Sequence, residues 1–428
     1  MLNAKEINLV GLAIALLFIG CVEPFEAEVL DFENALVVDA RLTNEVKQQQ
    51  ISLSRSYRFG TEALLPETDA SVQIIDENGT TYPFVEDEPG FYKSTSAFAA
   101  QPNVGYELSI STTSGTLYQS ETVVTPESVA IKELKAELDV SDSGEEGLQI
   151  ALTNESARSE ATYFRVEYEE TYKIIAPFYN PSEFEVVDSL YFTIGDQDSF
   201  EINIIGRTEE AQTCYGTNIS TAILLSDSEG NSGGQTGKTT VRFLRSDEFM
   251  ISHRYSILVK QFGLTQEAHG YYATLDDFSS SEGVFSEVQP GFLKGNITAL
   301  NSDELVLGYF EVASVNTKRY FFNYTDFFPQ NPLPPYPINC EPTGAPPLIS
   351  YNPHIDGEYI VDEASPQSPL LNGILSGAIA YHAINEEYVE SEDVIQPPAG
   401  EAPYFVKATP CIDCRALGSN VKPDFWVE

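Results

Sequence analysis

This chain of 428 residues has one tryptophan, two methionines, four histidines and only 23 lysines and arginines. Set against 65 acidic residues, that shortage of bases leaves a net charge of -42. Such a surface repels nucleic acid and anionic headgroups, which excludes both as direct ligands, and otherwise gives a well-solvated exterior. The histidines (His253, His269, His354 and His382) never fall at metal spacing with one another, so a histidine-based zinc site is excluded, and His269 is expected on a helix surface. Long apolar runs are missing after the first residues, and no repeat of fixed period occurs. The acidic strands lack the outward apolar band and aromatic girdles of a membrane β-barrel.

The one pronounced apolar run begins at Leu9 and ends in Leu17-Phe18-Ile19-Gly20-Cys21, after a single early lysine, Lys5. A short positive start, an apolar core, a small residue and then a cysteine make a lipoprotein signal. Residues 1–20 therefore read as signal peptide, with Cys21 as the lipidated residue. A spanning helix needs about 20 apolar residues, and this run is shorter and is followed at once by Glu23 and Glu26. Residues 21–34 form an acidic tether, and the chain beyond them is expected to be an exported body on a lipid anchor.

With Cys21 assigned to lipid, Cys214, Cys340, Cys411 and Cys414 remain. An even number in an exported protein reads as disulfides, for which four cysteines allow about 3 connectivities. Cys411-Ile412-Asp413-Cys414 also has the spacing of a zinc or redox motif, but it lacks a second ligand pair and the strand-to-helix context of a thioredoxin. A bridge within that motif would close a tiny loop, whereas one to Cys340 or Cys214 closes a long loop and restrains more chain. The expectation is that Cys411 or Cys414 bridges to a distant cysteine, with Cys340 the favoured partner.

At 42% hydrophobic and 11% aromatic, the chain has enough apolar content for two or three domains. Short alternating segments separated by turns run from Ala35 to about residue 127, with the clearest hairpin at Asn78-Gly79. They predict an N-terminal β-sandwich of immunoglobulin or transthyretin type over 35–127, closed by Pro126. A larger β-sandwich-like domain is predicted over 128–428, with strands such as Thr162 to Tyr168 and Tyr255 to Phe262. It carries one helix from Thr265 to about Leu275, with Thr265 as cap. Eleven prolines between Asp326 and Pro369 mark an insert, 326–369, in which no regular element is expected, followed by a cysteine-containing tail ending in Phe425-Trp426.

No motif picks out a catalytic centre. Gly230-Asn231-Ser232-Gly233-Gly234 spells a nucleophile elbow but sits in a polar, glycine-rich loop. Gly233 to Thr239 ends in GKT at a spacing one residue short of a phosphate-binding loop. Asp227-Ser228-Glu229-Gly230-Asn231 opens like a calcium loop, yet Lys238 stands where the closing glutamate belongs. Asp196-Gln197-Asp198 and Asp276-Asp277 read as solvated turns, and carboxylates are too many to single out a hydrolytic pair.

Several ordered segments resemble a known family: Leu36-Val37-Val38-Asp39-Ala40-Arg41-Leu42, Cys214-Tyr215-Gly216, and Arg254 to Gln261 with Leu264-Thr265-Gln266-Glu267-Ala268. Gln289-Pro290, Lys294-Gly295-Asn296-Ile297, Leu307-Gly308-Tyr309-Phe310, Cys411 to Arg415 and Lys422 to Trp426 continue the series. Together they resemble the Bacteroidota outer-membrane lipoprotein family of the domain of unknown function 4249. The resemblance implies a lipoprotein whose gene often neighbours a SusC-like TonB-dependent receptor, and it transfers no catalytic residue. The expected function is a non-catalytic surface lipoprotein, without cofactor or metal, that captures ligand for such a transporter or caps it. A surface assembly or adhesion protein is the alternative, and an extracellular hydrolase the third reading.

Overall fold

The computed structural model describes residues 34–56, 65–154, 162–188, 201–227, 238–280, 293–346, 351–353, 359–361, 368–388 and 402–428. It is mainly β. The N-terminal strands are β1 (Leu36–Thr43), β2 (Gln50–Arg55), β3 (Ser71–Asp76), β4 (Thr81–Glu88), β5 (Phe91–Ser94), β6 (Gly105–Ser111) and β7 (Leu117–Ser120). Alternation sets their faces: in β1, Leu36, Val38, Ala40 and Leu42 are buried, while Val37, Asp39 and Arg41 point the other way. Tyr92, Tyr106, Leu108 and Ile110 join them in one core, each large side chain contributing about 2 kcal/mol by apolar transfer. Asn78-Gly79 turns β3 into β4 as its sequence requires, with Gly79 at a φ of 85° and Ile75 opposite Thr81.

The second unit contains β8 (Ile131–Val140), β9 (Glu146–Asn154), β10 (Tyr163–Ile175), β11 (Thr213–Ile219), β12 (Lys238–Arg245), β13 (Arg254–Leu264), β14 (Ile297–Ala299) and β15 (Val306–Asn323). Strands β8, β9 and β12 form one layer. Strands β11, β10, β13 and β15 form the other, and Leu148, Ile150, Val166, Ile257, Val259 and Phe322 fill the space between them.

The two units share a sheet. The first half of β15 pairs in parallel with β1, Leu36 opposite Val306 through Thr43 opposite Ala313. Its second half pairs antiparallel with β13, from Gly263 opposite Ser314 to Arg254 opposite Asn323. Phe310 and Val312 belong to the N-terminal core and Phe322 to the second, so one strand serves both. Strand β14 adds to β7, and the buried Asn296 side chain ties that edge back to β15 by donating to Phe310 O at 2.9 Å and accepting from Phe310 N at 2.8 Å. The boundary expected near residue 127 therefore does not separate the hydrogen-bonded units, because residues 297–313 complete the N-terminal sheet. Close backbone approach explains two glycines there. A Cβ on Gly295 would lie 1.8 Å from Gly308 O, and one on Gly308, whose φ is +106°, would lie 1.9 Å from Val38 O.

The predicted helix is present as α1 (Gln266–Ser280), five residues longer than expected at its C-terminal end, with the Thr265 hydroxyl accepting from Ala268 N. Short helices at Tyr324–Phe327, Pro369–Leu375 and Thr409–Ile412 add to the single one expected. The proline-rich insert is less irregular than its composition suggests. Tyr351–Pro353 pairs with Tyr359–Val361, and Gly344 bridges to Val406. Pro369 opens its helix at the first position, where the missing N–H costs nothing and Ser368 caps Leu371 N at 3.0 Å. No helix among the described residues is long and apolar enough to cross a membrane.

Candidate functional site

Where β15 passes from one sandwich to the other, the outer face of the shared sheet carries charge. Arg165 on β10 lies between buried Phe164 and Val166, and Glu311 on β15 lies between Phe310 and Val312. Their side chains meet in a two-point contact, Arg165 Nη2 standing 3.0 and 3.1 Å from the Glu311 oxygens. The Arg165 guanidinium also lies 4.6 Å from the Phe262 ring and 4.7 Å from the Tyr272 ring of α1, and it bonds Glu167. Burial alone would lower the pKa of Arg165, but Glu311, Tyr272 and Glu167 together more than reverse that and hold it above its ordinary value. The Tyr272 hydroxyl is raised by burial and by Glu311.

Arg41 of β1 completes the group from the N-terminal side. Its Nη1 donates to Glu167 at 3.1 Å, and its Nε stands 3.2 Å from Glu311 as an ion contact rather than an aligned hydrogen bond. Glu167 is pushed up by burial and pulled down further by Arg41 and Arg165, ending below the ordinary carboxylate range. For Arg41 to reach strand β10, the sheet has to bend toward this face.

The bend leaves a cleft of about 430 Å³, with Asp39, Arg41, Ser52, Gln50 and Phe91 on one wall and Glu167, Lys260 and Phe262 on the other. α1 bounds the neighbouring part of the face through Ala268, Tyr271 and Tyr272, packed with Phe262, Leu264, Tyr309 and Ala313. Burial and the nearby Asp39 charge raise the Tyr271 hydroxyl. The cleft offers both charge signs, an amide, a hydroxyl and an aromatic ring, which suits non-covalent recognition of a polar ligand.

The sequence-predicted cysteines gather elsewhere, under the C-terminal tail. Cys214 pairs with Cys414 and Cys340 with Cys411, at Cα separations of 5.6 and 5.7 Å. The two cysteines of the CxxC thus face different partners. Between them Asp413 takes bonds from Arg207 at 2.9 Å and Arg415 at 2.6 Å. Burial pushes its carboxyl up, but Arg415 and Arg207 outweigh that and hold it below the usual range. Buried Lys407 donates to Cys340 O at 2.8 Å and lies 4.1 Å from the Phe178 ring. Trp426 is buried edge-on to Tyr215 and Phe321, whereas Phe425 is more open and stacks under Arg319 at 3.5 Å.

Cys21, Asp196-Gln197-Asp198, the Gly230 to Gly234 elbow, the Gly233 to Gly237 stretch and His354 lie outside the described residues. Lys238 sits in β12, paired with Glu137 at 2.7 Å. His269 is not the surface residue expected: its ring is half-buried 5.1 Å from Tyr163, because α1 turns that edge onto β10. Asp276 and Asp277 lie near the C-terminal end of α1, and no metal-holding group of three His, Cys, Asp or Glu occurs among the described residues. The junction charges were missed in sequence. The available signal was an ionisable residue inside an apolar strand run, Phe164-Arg165-Val166 and Phe310-Glu311-Val312.

The model of the family described as "Domain of unknown function (DUF4249)" matches residues 22–319, a span that includes every strand lining the cleft. The chain belongs to this family. Among curated proteins none matches it. A solved DUF4785 family protein from Legionella pneumophila is 9% identical with a TM-score of 0.18. That alignment covers 53% of this DUF4249 chain and 52%, about half, of the other.

Proposed function

We propose that this chain is a non-catalytic lipoprotein, held at the outer-membrane surface by lipid on Cys21, that captures ligand for a SusC-like TonB-dependent transporter. The observation that carries the reading is the junction cleft, where side chains of both charge signs and an open aromatic ring face a space of ligand size. The apolar run ending at Cys21 and the two cysteine pairs, which suit an oxidising compartment, support export. A surface assembly or adhesion role is the second reading. It is favoured by the exposed Leu138 and Val140 at the end of β8, beside Phe328.

Affinity capture of the tagged full-length chain from detergent-solubilised outer membranes tests the proposal. A TonB-dependent receptor is the expected companion, and Cys21→Ser is expected to lose both fatty-acid labelling and membrane pelleting. Recovery of structural surface proteins without a receptor supports the second reading. Equal labelling of wild type and Cys21→Ser contradicts the lipid anchor.

A further inference from the structure

The cleft differs from the rest of the molecule in its charge. The chain as a whole carries -42, yet the cleft lining holds Asp39, Glu45 and Glu167 against Arg41, Lys47 and Lys260. Most of these neutralise each other: Lys47 pairs with Glu45 at 2.5 Å and Arg41 with Glu167 at 3.1 Å. Two are left over. Among the described residues, neither the Asp39 carboxylate nor the Lys260 ammonium makes an ion pair or a side-chain hydrogen bond. One free charge of each sign selects a ligand carrying both, because a ligand of single sign satisfies one group and confronts the other with a like charge.

The spacing says more. Asp39 lies opposite Tyr309 on β15 and Lys260 lies opposite Thr317, eight residues further along the same strand. Flat, that would be about 26 Å, and the bend toward this face shortens it. A free amino acid holds its two charges only about 3 Å apart and cannot meet both groups, whereas an extended peptide of about four residues spans roughly 13 Å. On the Asp39 wall the cleft also offers Gln50 and Ser52, whose side chains make no hydrogen bond among the described residues, and Phe91, which is 41% exposed, with Ser52 directly opposite Asp39 and Phe91 beyond it. Those groups match main-chain amides and a side chain.

We infer that the junction cleft binds short peptides with free termini, the ammonium end at Asp39 and the carboxylate end at Lys260. The inference rests on the ligand-capturing reading above and gives that ligand a chemical class. Recognition is by the two ends and the main chain, so the site tolerates varied side chains and discriminates by length.

The test is equilibrium dialysis of the full-length chain in detergent against a mixed tetrapeptide library, read by mass spectrometry. A second library is N-acetylated and a third C-amidated. Free peptides are expected to be retained, and blocking either end is expected to weaken retention about fivefold. Asp39→Asn should lose only the discrimination against N-acetylation, and Lys260→Met only that against C-amidation, with melting temperatures unchanged. Equal retention of free and blocked peptides, no retention of any library, or the two variants exchanging effects overturns the inference. Receptor capture reports separately. A receptor recovered without peptide retention overturns the ligand class alone, and peptide retention without a receptor removes the transporter role while keeping the ligand class.

Discussion

The two regions that hold this molecule together do so by different means. At the junction of the sandwiches, the backbone runs on: β15 pairs with β1 and then with β13, glycines allow close approach, and Arg165 and Glu311 meet, buried, on the outer face beside α1. Under the C-terminal tail, prolines interrupt the ladders and two disulfides take their place. Cys340 sits in the proline-rich insert itself, with its carbonyl held by Lys407. Cross-links thus stand where the chain cannot supply continuous strand pairing, and buried charge stands where it can.

Reduction should separate the two regions most widely. The loops closed by Cys214–Cys414 and Cys340–Cys411 have sequence separations of 200 and 71, for which chain entropy gives about 5 and about 4 kcal/mol. Denaturant titration with and without reductant should show losses of that order. Limited proteolysis under reducing conditions should cut first near residues 340 and 411, before the junction. Next comes Arg165→Met, which takes the two-point partner from buried Glu311, leaves it only the ion contact of the partly exposed Arg41, and is expected to cost about 3 kcal/mol in the same titration. Replacing the pair together, Arg165→Met with Glu311→Leu, should recover much of that loss. Gly308→Ala is expected to cost about 3 kcal/mol, because the new Cβ would meet Val38 O at 1.9 Å and the residue has a φ of +106°.

Acid has the smallest expected effect and acts on both regions. Glu167 at the junction and Asp413 under the tail are both held below the ordinary carboxylate range in the folded chain. The unfolded chain therefore takes up these protons first as pH falls. Their stabilisation is complete above the ordinary value of about 4 and is lost as pH drops through the folded values. Glu248, raised first by burial, has the opposite sign: its contribution is present below its ordinary value and is lost as pH rises through the folded one. Melting temperature measured from pH 6 down to pH 2 should fall, and Glu167→Gln or Asp413→Asn should each flatten the fall.

Local features were legible in the sequence and distant ones were not. The Asn78-Gly79 hairpin and the cap at Thr265 depend on residues within a few positions of each other. The Arg165–Glu311 pair joins residues 146 apart, and Leu36 pairs with Val306 across most of the chain, so neither periodicity nor turn chemistry reveals them. The boundary near residue 127 reads clearly in composition because Pro126 and Glu127 do lie between strands. Hidden from a linear reading is that the missing edge of the first sandwich arrives only at residues 297–313. The proline-rich insert misleads in the other direction, since Pro353 and Pro369 sit at strand and helix positions that tolerate them. Of the cleft, Asp39, Arg41 and Lys260 all stood within segments that carry the family resemblance, but nothing in one dimension brings them to a single cleft.

The cleft depends on the two sandwiches forming one body through β15. Residues 34–127 expressed alone put that to the test, by amide proton dispersion in a two-dimensional NMR spectrum together with a thermal melt. Without β14 and β15, β1 keeps an open edge and Asn296 is missing, so collapsed dispersion and no cooperative melt are predicted. A dispersed spectrum with a cooperative transition near that of the full chain would contradict that dependence.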